Sequence, residues 1–83
     1  MTLDQDYEKI TTNEGNGVLI QVHSKYPIRL VYGDSDTTPS NEEDNFVVFP
    51  KEPTVYPGVV SKVIYAKSAD LHNNSYVTVK EME

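Results

Sequence analysis

The sequence contains no cysteine, and this absence alone excludes several kinds of protein. The chain forms no disulfide, offers no thiol nucleophile and builds no cysteine-based zinc site. Long apolar runs are also missing, so no membrane-spanning segment is predicted. The chain starts with the acidic stretch MTLDQD, and a secretion signal needs a basic start, so none is predicted. The lack of cysteine fits a cytosolic protein.

Basic residues are scarce as well, with seven Lys and Arg against thirteen Asp and Glu, for a net charge of −6. The few cations are scattered singly along the chain. Phosphate backbones are bound by clustered Lys and Arg, because affinity comes from neutralising phosphates and releasing counterions. Neither nucleic acid nor an anionic membrane is therefore expected as a partner.

What the chain does have is a pattern of β-strands. Valine is its commonest residue, and β-branched and aromatic side chains suit a pleated, half-buried surface. Apolar and polar residues alternate, so that Val18, Ile20 and Val22 share one face of their segment. Six strands are predicted, at residues 7–13, 18–24, 28–32, 45–49, 59–67 and 75–81.

The length and the turn residues indicate how these strands are arranged. Eighty-three residues suffice for one domain, so residues 1–83 are predicted to form a single all-β domain, a small antiparallel β-sandwich of about six strands. Residues 1–6 are expected to form a loose N-terminal arm. Prolines keep residues 50–58 out of any central ladder, and residues 70–74 are predicted to be the loop of a terminal hairpin.

Residues 33–44 form an acidic loop that we considered as a metal site. Its five carboxylates could ligate calcium, which prefers six to eight oxygen ligands. The EF-hand pattern fails, however, because Pro39 stands where a glycine is needed and Asn45 where a glutamate is needed. We therefore expect a solvated loop and no metal, although the sequence leaves open whether the loop binds a cation or another ligand.

No arrangement of residues indicates catalysis. His23 and His72 lie in different segments, without the spacing of a zinc site. Ser68, Asp70 and His72 contain the residue types of a hydrolase triad, but a triad needs a nucleophile on a strained turn beside an oxyanion hole. No Gly-x-Ser-x-Gly motif is present. The protein is not expected to be an enzyme, and neither a cofactor nor a catalytic residue is predicted.

Two of the six tyrosines lie beside prolines in predicted connections. Exposed tyrosines are common where proteins bind proteins or sugars, because the ring is apolar and its hydroxyl can hydrogen-bond. Tyr26 and Tyr56 are therefore candidate ligand-binding residues. The alternative is that these rings cover the open ends of the sandwich.

Two predicted strands, within residues 45–49 and 59–67, are apolar on both faces. A two-layer sandwich of so few strands should leave one face of each sheet to solvent, so the second apolar face needs a cover. Other copies of the chain or a larger protein surface would provide it. The predicted interface residues are Val47, Phe49, Val55, Tyr56, Val60 and Ile64.

The order of the segments resembles the small β-sandwich structural proteins of tailed bacteriophages. The matching segments lie between residues 15 and 81. They are residues 28–35 (IRLVYGDS), 46–50 (FVVFP), 56–58 (YPG), 63–68 (VIYAKS) and 77–81 (VTVKE).

This resemblance implies a virion component, as a head decoration or a tail-associated protein, that works without chemistry as an oligomer. Its partners would be copies of itself or other phage structural proteins, and its location the virion or the host cytoplasm. Two further functions are considered. One is a carbohydrate- or ligand-binding module that uses Tyr26, Tyr56 or the acidic loop, and the other is an acidic inhibitor that mimics nucleic acid.

Overall fold

The fold consists of short β-strands. The computed structural model describes residues 1–41, 46–48 and 53–83, and within these ranges it contains eight strands and no helix. The strands are β1 Thr2–Leu3, β2 Glu8–Lys9, β3 Gly17–Val22, β4 Ile28–Gly33, β5 Phe46–Val48, β6 Thr54–Tyr56, β7 Val63–Ser68 and β8 Ser75–Met82.

These strands form two antiparallel sheets of four. The first sheet has the order β1-β8-β3-β6, and the second has the order β2-β7-β4-β5. The long strands β8 and β3 are central in the first sheet, and β7 and β4 are central in the second. The predicted antiparallel β-sandwich is confirmed. Two strands, β1 and β6, are additional to the six that the alternation predicted.

The core lies between the inner faces of the two sheets, where the sequence alternation places it. Val18, Ile20 and Val22 of β3 are buried there, together with Ile28 and Leu30 of β4. Each buried side chain of this kind contributes about 1.5–3 kcal/mol to folding. Every buried side-chain nitrogen or oxygen in the described part of the chain has a hydrogen-bond partner.

The N-terminal residues are not a loose arm, which corrects that expectation. Thr2 pairs with Tyr76 and Leu3 with Ser75, and Leu3 is completely buried in the core. The backbone of Met1 also bonds to Val77. The physical reason is the apolar side chain of Leu3, whose burial offsets the cost of ordering the segment.

The predicted terminal hairpin is wrong, because β7 and β8 belong to different sheets. Residues 70–74 cross from the second sheet to the first instead of turning back along one sheet. Asp70 stabilises this crossing, since its Oδ1 accepts hydrogen bonds from the backbone N–H groups of His72 and Asn73. Alternation defines the faces of a strand, but it does not identify the neighbouring strand.

At the opposite end of the sandwich, two connections pack against each other. A side chain on Gly58 would collide with the carbonyl oxygen of Gly15, so the contact requires glycine there. The strand predicted for residues 59–67 begins only at Val63, because the backbone N–H of Lys62 bonds to the carbonyl of Val59 in a turn. In this turn Ser61 has a φ of 66°.

Glu81 of β8 fastens the neighbouring turn to the first sheet. Its carboxylate accepts hydrogen bonds from the backbone N–H groups of Thr12 and Asn13, at 2.7 and 3.1 Å. It also accepts one from Asn16 Nδ2 at 2.7 Å. These bonds, led by that of the Thr12 backbone, lower the pKa of Glu81 to about 2.

Strand β6 forms an edge of the first sheet and is only three residues long. Pro53 precedes it, and Pro57 follows it. Since proline has no backbone N–H to donate, a proline-flanked segment is suited to an edge. The exclusion of residues 50–58 from a central ladder holds for the described part of this range.

Candidate interaction surface

The outer face of the second sheet carries its own apolar cluster. Tyr7, Val31, Val63 and Tyr65 pack together there, separate from the main core, and all four are buried. Val31 of β4 and Val63 and Tyr65 of β7 occupy the alternate positions that point away from the inner face, and Tyr7 lies just before β2. The prediction that this part of the chain is apolar on both faces is therefore correct.

The chain itself covers this face, through residues 34–41. The Tyr65 hydroxyl donates to the carbonyl of Asp34 at 2.6 Å. The backbone N–H of Tyr7 donates to Asn41 Oδ1 at 3.3 Å, and Lys67 Nζ donates to the carbonyl of Asn41 at 2.5 Å. Lys67 Nζ also lies 4.8 Å from the centre of the Tyr7 ring. The outer face of the second sheet thus needs no partner to shield these side chains.

The described part of the acidic loop therefore covers the outer face of the second sheet. Asp34 forms an ion pair with Lys62 at 2.7 Å, and the Ser35 hydroxyl donates to Glu14 at 3.1 Å. Among the described residues no group of three or more His, Cys, Asp or Glu could hold a metal ion. Residues 42–44 of the loop lie outside the described residues.

A cleft of about 240 Å³ lies beside this cover. It is open to solvent, and it is too small for most drug-sized ligands, whose pockets have volumes of roughly 300–1,000 Å³. Its polar groups include Asp34 and Lys62, which already pair with each other. The lining residues are Val31, Tyr32, Gly33, Asp34, Thr37, Pro39 and Lys62.

The outer face of the first sheet differs, because the described chain leaves its side chains accessible. We call this surface the open face. Its residues alternate with the core positions of β3, β6 and β8, and Leu19 is paired with both Val55 and Lys80. The open face consists of Leu19, Gln21, Val55, Tyr76, Thr78 and Lys80.

Apolar side chains are prominent on the open face. Tyr76 is 57% exposed and Val55 is 56% exposed, while Leu19 beside Val55 is partly exposed. At the margin, His23 Nε2 lies 2.6 Å from the Thr78 hydroxyl. None of the six side chains is a carboxylate, although the chain has a net charge of −6. A nucleic-acid mimic would need a row of carboxylates, and the open face has none.

The predicted interface residues do not form one surface. Val55 lies on the open face, but the neighbouring Tyr56 is partly buried against the core. Val47 lies on β5 of the second sheet, and Val60 is 86% exposed in the turn before β7. Phe49 lies outside the described residues. The prediction for Ile64 is wrong, because this side chain is 1% exposed within the core.

Tyr76 was missed as an interface residue, although the sequence held a signal for it. In the predicted strand at residues 75–81, Val77 and Val79 alternate with Thr78 and Lys80, which indicates that the valines point inward and the two polar residues outward. The same alternation places Tyr76 outward, beside Thr78. A large aromatic ring at an outward strand position is a better indication of a binding surface than an apolar residue in a fully apolar run.

The two tyrosines proposed for ligand binding do not converge. The carbonyl of Tyr26 accepts a hydrogen bond from Ser75, at the start of β8. Tyr56 pairs with Val18, which also pairs with Glu81 near the other end of β8. The two rings therefore lie at opposite ends of the sandwich, and they form no common site.

Tyr56 instead closes one end of the core together with Tyr32. Both rings pack against the core cluster, and the Tyr32 hydroxyl donates to the carbonyl of Pro57 at 2.6 Å. Burial raises the pKa of Tyr56. Burial, with a smaller contribution from Tyr56, raises the pKa of Tyr32. Of the two roles considered for Tyr56, this packing favours that of a cover over the core.

The residues that could suggest a triad are not arranged as one. The Ser68 hydroxyl donates to the carbonyl of Asn73 at 2.6 Å, and Ser68 is buried. The Asp70 carboxylate accepts backbone N–H groups, led by that of His72, and this lowers the pKa of Asp70. In a triad the nucleophile bonds to the base, and the base bonds to an orienting acid. Neither of the two contacts above links Ser68 to the His72 ring, and neither links the His72 ring to the Asp70 carboxylate.

Comparisons with protein-family models, with curated proteins and with solved structures returned no significant match. Within the described ranges, no helix is long and apolar enough to cross a membrane.

Proposed function

We propose that this protein is a non-enzymatic interaction module, a virion component of a tailed bacteriophage that acts as an oligomer and docks through its open face. The observation that carries the docking proposal is the exposure of Tyr76 and Val55 on this face, at 57% and 56%. The outer face of the second sheet provides the contrast, because there residues 34–41 of the same chain cover the apolar side chains.

Two further observations support a binding role rather than a catalytic one. Aromatic side chains in accessible positions are enriched at the energetic centres of protein interfaces. Gln21 and Thr78 lie between the Leu19–Val55 pair and Tyr76, and Lys80 lies beside Leu19, so hydrogen-bonding groups adjoin each apolar residue of the open face. Interfaces combine apolar contacts with such polar groups. The assignment to a virion is supported by the resemblance of the segments between residues 15 and 81 to phage structural proteins.

The proposal is tested on particles released from lysed cells that express the chain. The particles are purified on a density gradient and dissociated, and the chain is quantified by mass spectrometry against the major head and tail proteins. We expect the chain to sediment with the particles in a fixed ratio to one of these proteins. Finding the chain only in the soluble fraction would contradict a virion role.

A matched pair of variants tests the docking surface. Val55→Glu places a charge on the open face, whereas Leu71→Glu adds the same charge at an exposed position in the crossing of residues 70–74. We expect the first variant to be lost from the particles and the second to be retained. Circular dichroism and thermal unfolding establish that both variants are folded. Equal retention of both variants would refute docking through the open face.

A further inference from the structure

We propose that the open face binds a second copy of the same chain, sheet against sheet across a twofold axis. This inference rests on the proposed function, and it names the first partner of that surface. It is carried by three observations: the short edge strands, the charge pattern of the open face and the positions of its residues along the strands.

The edges of the two sheets offer little to a partner. In the described part of the chain the edge strands β1, β2, β5 and β6 are each two or three residues long. Strand addition needs a longer row of backbone N–H and C=O groups. Association of two copies is therefore expected to use side chains on a sheet face.

The charge pattern favours a second copy as the occupant. The chain has a net charge of −6, so two copies repel each other wherever their carboxylates meet. The open face is the surface where this repulsion is avoided, because its one charged residue is Lys80 and it has no carboxylate. Packing the two open faces together keeps the carboxylates of both copies outside the contact.

The positions along the strands make the open face complementary to itself. Tyr76 and Lys80 lie on the same side of β8, four residues apart. A twofold axis that runs across the strands reverses their direction, and it places Lys80 of each copy opposite Tyr76 of the other. A lysine over an aromatic ring is attractive, and the two lysines remain well separated. Packed sheets lie roughly 10 Å apart, which leaves room for these side chains.

The size of the face predicts a weak complex. From the strand spacing and the rise per residue, the face covers at most roughly 400 Å². Stable complexes bury about 800 Å² of each partner. We therefore expect a dimer that dissociates readily in solution and becomes stable where many copies are held side by side.

Sedimentation equilibrium of the wild-type chain between roughly 10 µM and 1 mM tests this inference. The weight-average mass should rise from that of one chain toward that of two. Added salt should strengthen the association, because it screens the repulsion between two acidic copies. Val55→Glu and Tyr76→Lys should each weaken it at least about tenfold. The first puts a carboxylate into the contact between two acidic copies, and the second places a lysine opposite Lys80 of the other copy. Leu71→Glu, which adds the same charge elsewhere, should leave it within about twofold of wild type.

Cross-linking locates the contact independently. Because the chain has no cysteine, Gln21→Cys introduces a single thiol at the middle of the open face. A bifunctional maleimide that bridges roughly 10 Å should join two copies of this variant. Leu71→Cys is the matched control and should remain monomeric.

The outcomes separate this inference from the proposed function. In one outcome the wild-type chain stays monomeric to about 1 mM but sediments with particles, and Val55→Glu does not sediment with them. This outcome refutes the dimer and supports docking of the open face on another protein. Association that Val55→Glu and Tyr76→Lys do not weaken, or cross-linking of Leu71→Cys alone, overturns pairing through this face. A chain that neither associates nor enters particles contradicts both proposals.

Discussion

The second sheet buries Tyr65 on its outer face beneath residues 34–41, whereas the first sheet leaves Tyr76 on its outer face in solvent. The exposed fractions of these two side chains are 2% and 57%. Both tyrosines occupy outward positions of central strands. Apolar residues on both faces of a strand therefore do not by themselves indicate a partner. The described chain covers the more apolar outer face itself, and the face with fewer apolar residues is the one that is left accessible.

The largest expected effect tests the covered face. Tyr65→Ala removes a buried ring and its hydrogen bond to the carbonyl of Asp34. We expect the free energy of unfolding to fall by about 3–5 kcal/mol, because a cavity forms and the cover loses its support. Urea denaturation followed by circular dichroism measures this change. A loss below about 1 kcal/mol would show that residues 34–41 do not pack as described.

A smaller, pH-dependent effect is expected at the end of the first sheet. Glu81→Gln replaces the carboxylate that accepts the N–H groups of Thr12 and Asn13. The pKa of Glu81 is lowered from 4.5 to about 2, so its ionised form stabilises the folded state. This contribution is complete above pH 4.5 and is lost as the pH falls toward 2.

Thermal unfolding of wild type and Glu81→Gln across this pH range checks the prediction. The wild type should be the more stable of the two at pH 7, and the difference should vanish near pH 2, where Glu81 becomes protonated in the folded state. A difference that is independent of pH would mean that the carboxylate charge has no role in holding the turn.

A third variant loosens the cover formed by residues 34–41 without removing the apolar side chains beneath it. Lys67→Ala deletes the hydrogen bond to the carbonyl of Asn41 and the contact with the Tyr7 ring. Because Lys67 is partly exposed, we expect a loss of about 0.5–1 kcal/mol. Hydrogen exchange should accelerate in residues 34–41 and stay unchanged in β3. Uniform acceleration through both sheets would contradict a local role.

The smallest effect is expected on the open face. Tyr76→Ala removes a ring of the same type as Tyr65, but its exposure limits the loss of unfolding free energy to about 0.5 kcal/mol in the monomer. Denaturation at low protein concentration measures the monomer alone. A loss comparable to that of Tyr65→Ala would show that the first sheet is covered as well, and it would remove the contrast between the two faces.

The sequence alternation predicted much of this fold. The inward positions of β3 and β8 follow directly from their period of two, because Val18, Ile20 and Val77 alternate with polar or outward residues. The antiparallel sandwich and the approximate places of six strands follow from the same pattern and from the turn residues. Alternation describes each strand separately, however, and it contains no information on which strands pair. For this reason β7 and β8 were assigned to one hairpin.

The candidate surface was harder to predict. Residues 34–41 are mostly polar and have no period, so nothing in their sequence indicates that they fold over Val63 and Tyr65. Without that cover, the apolar run that includes Ile64 suggested an external partner. Val55 is exposed, but only the strand register shows that it shares a face with Leu19 and Tyr76.

The prolines on either side of β6 also have a consequence for assembly. An unprotected sheet edge can recruit strands from further molecules without limit, and the result is a fibre. With Pro53 before β6 and Pro57 after it, the backbone there offers few donors to an incoming strand. Addition of a strand from another molecule is therefore disfavoured at this edge, and with it the growth of a fibre by edge-to-edge pairing there.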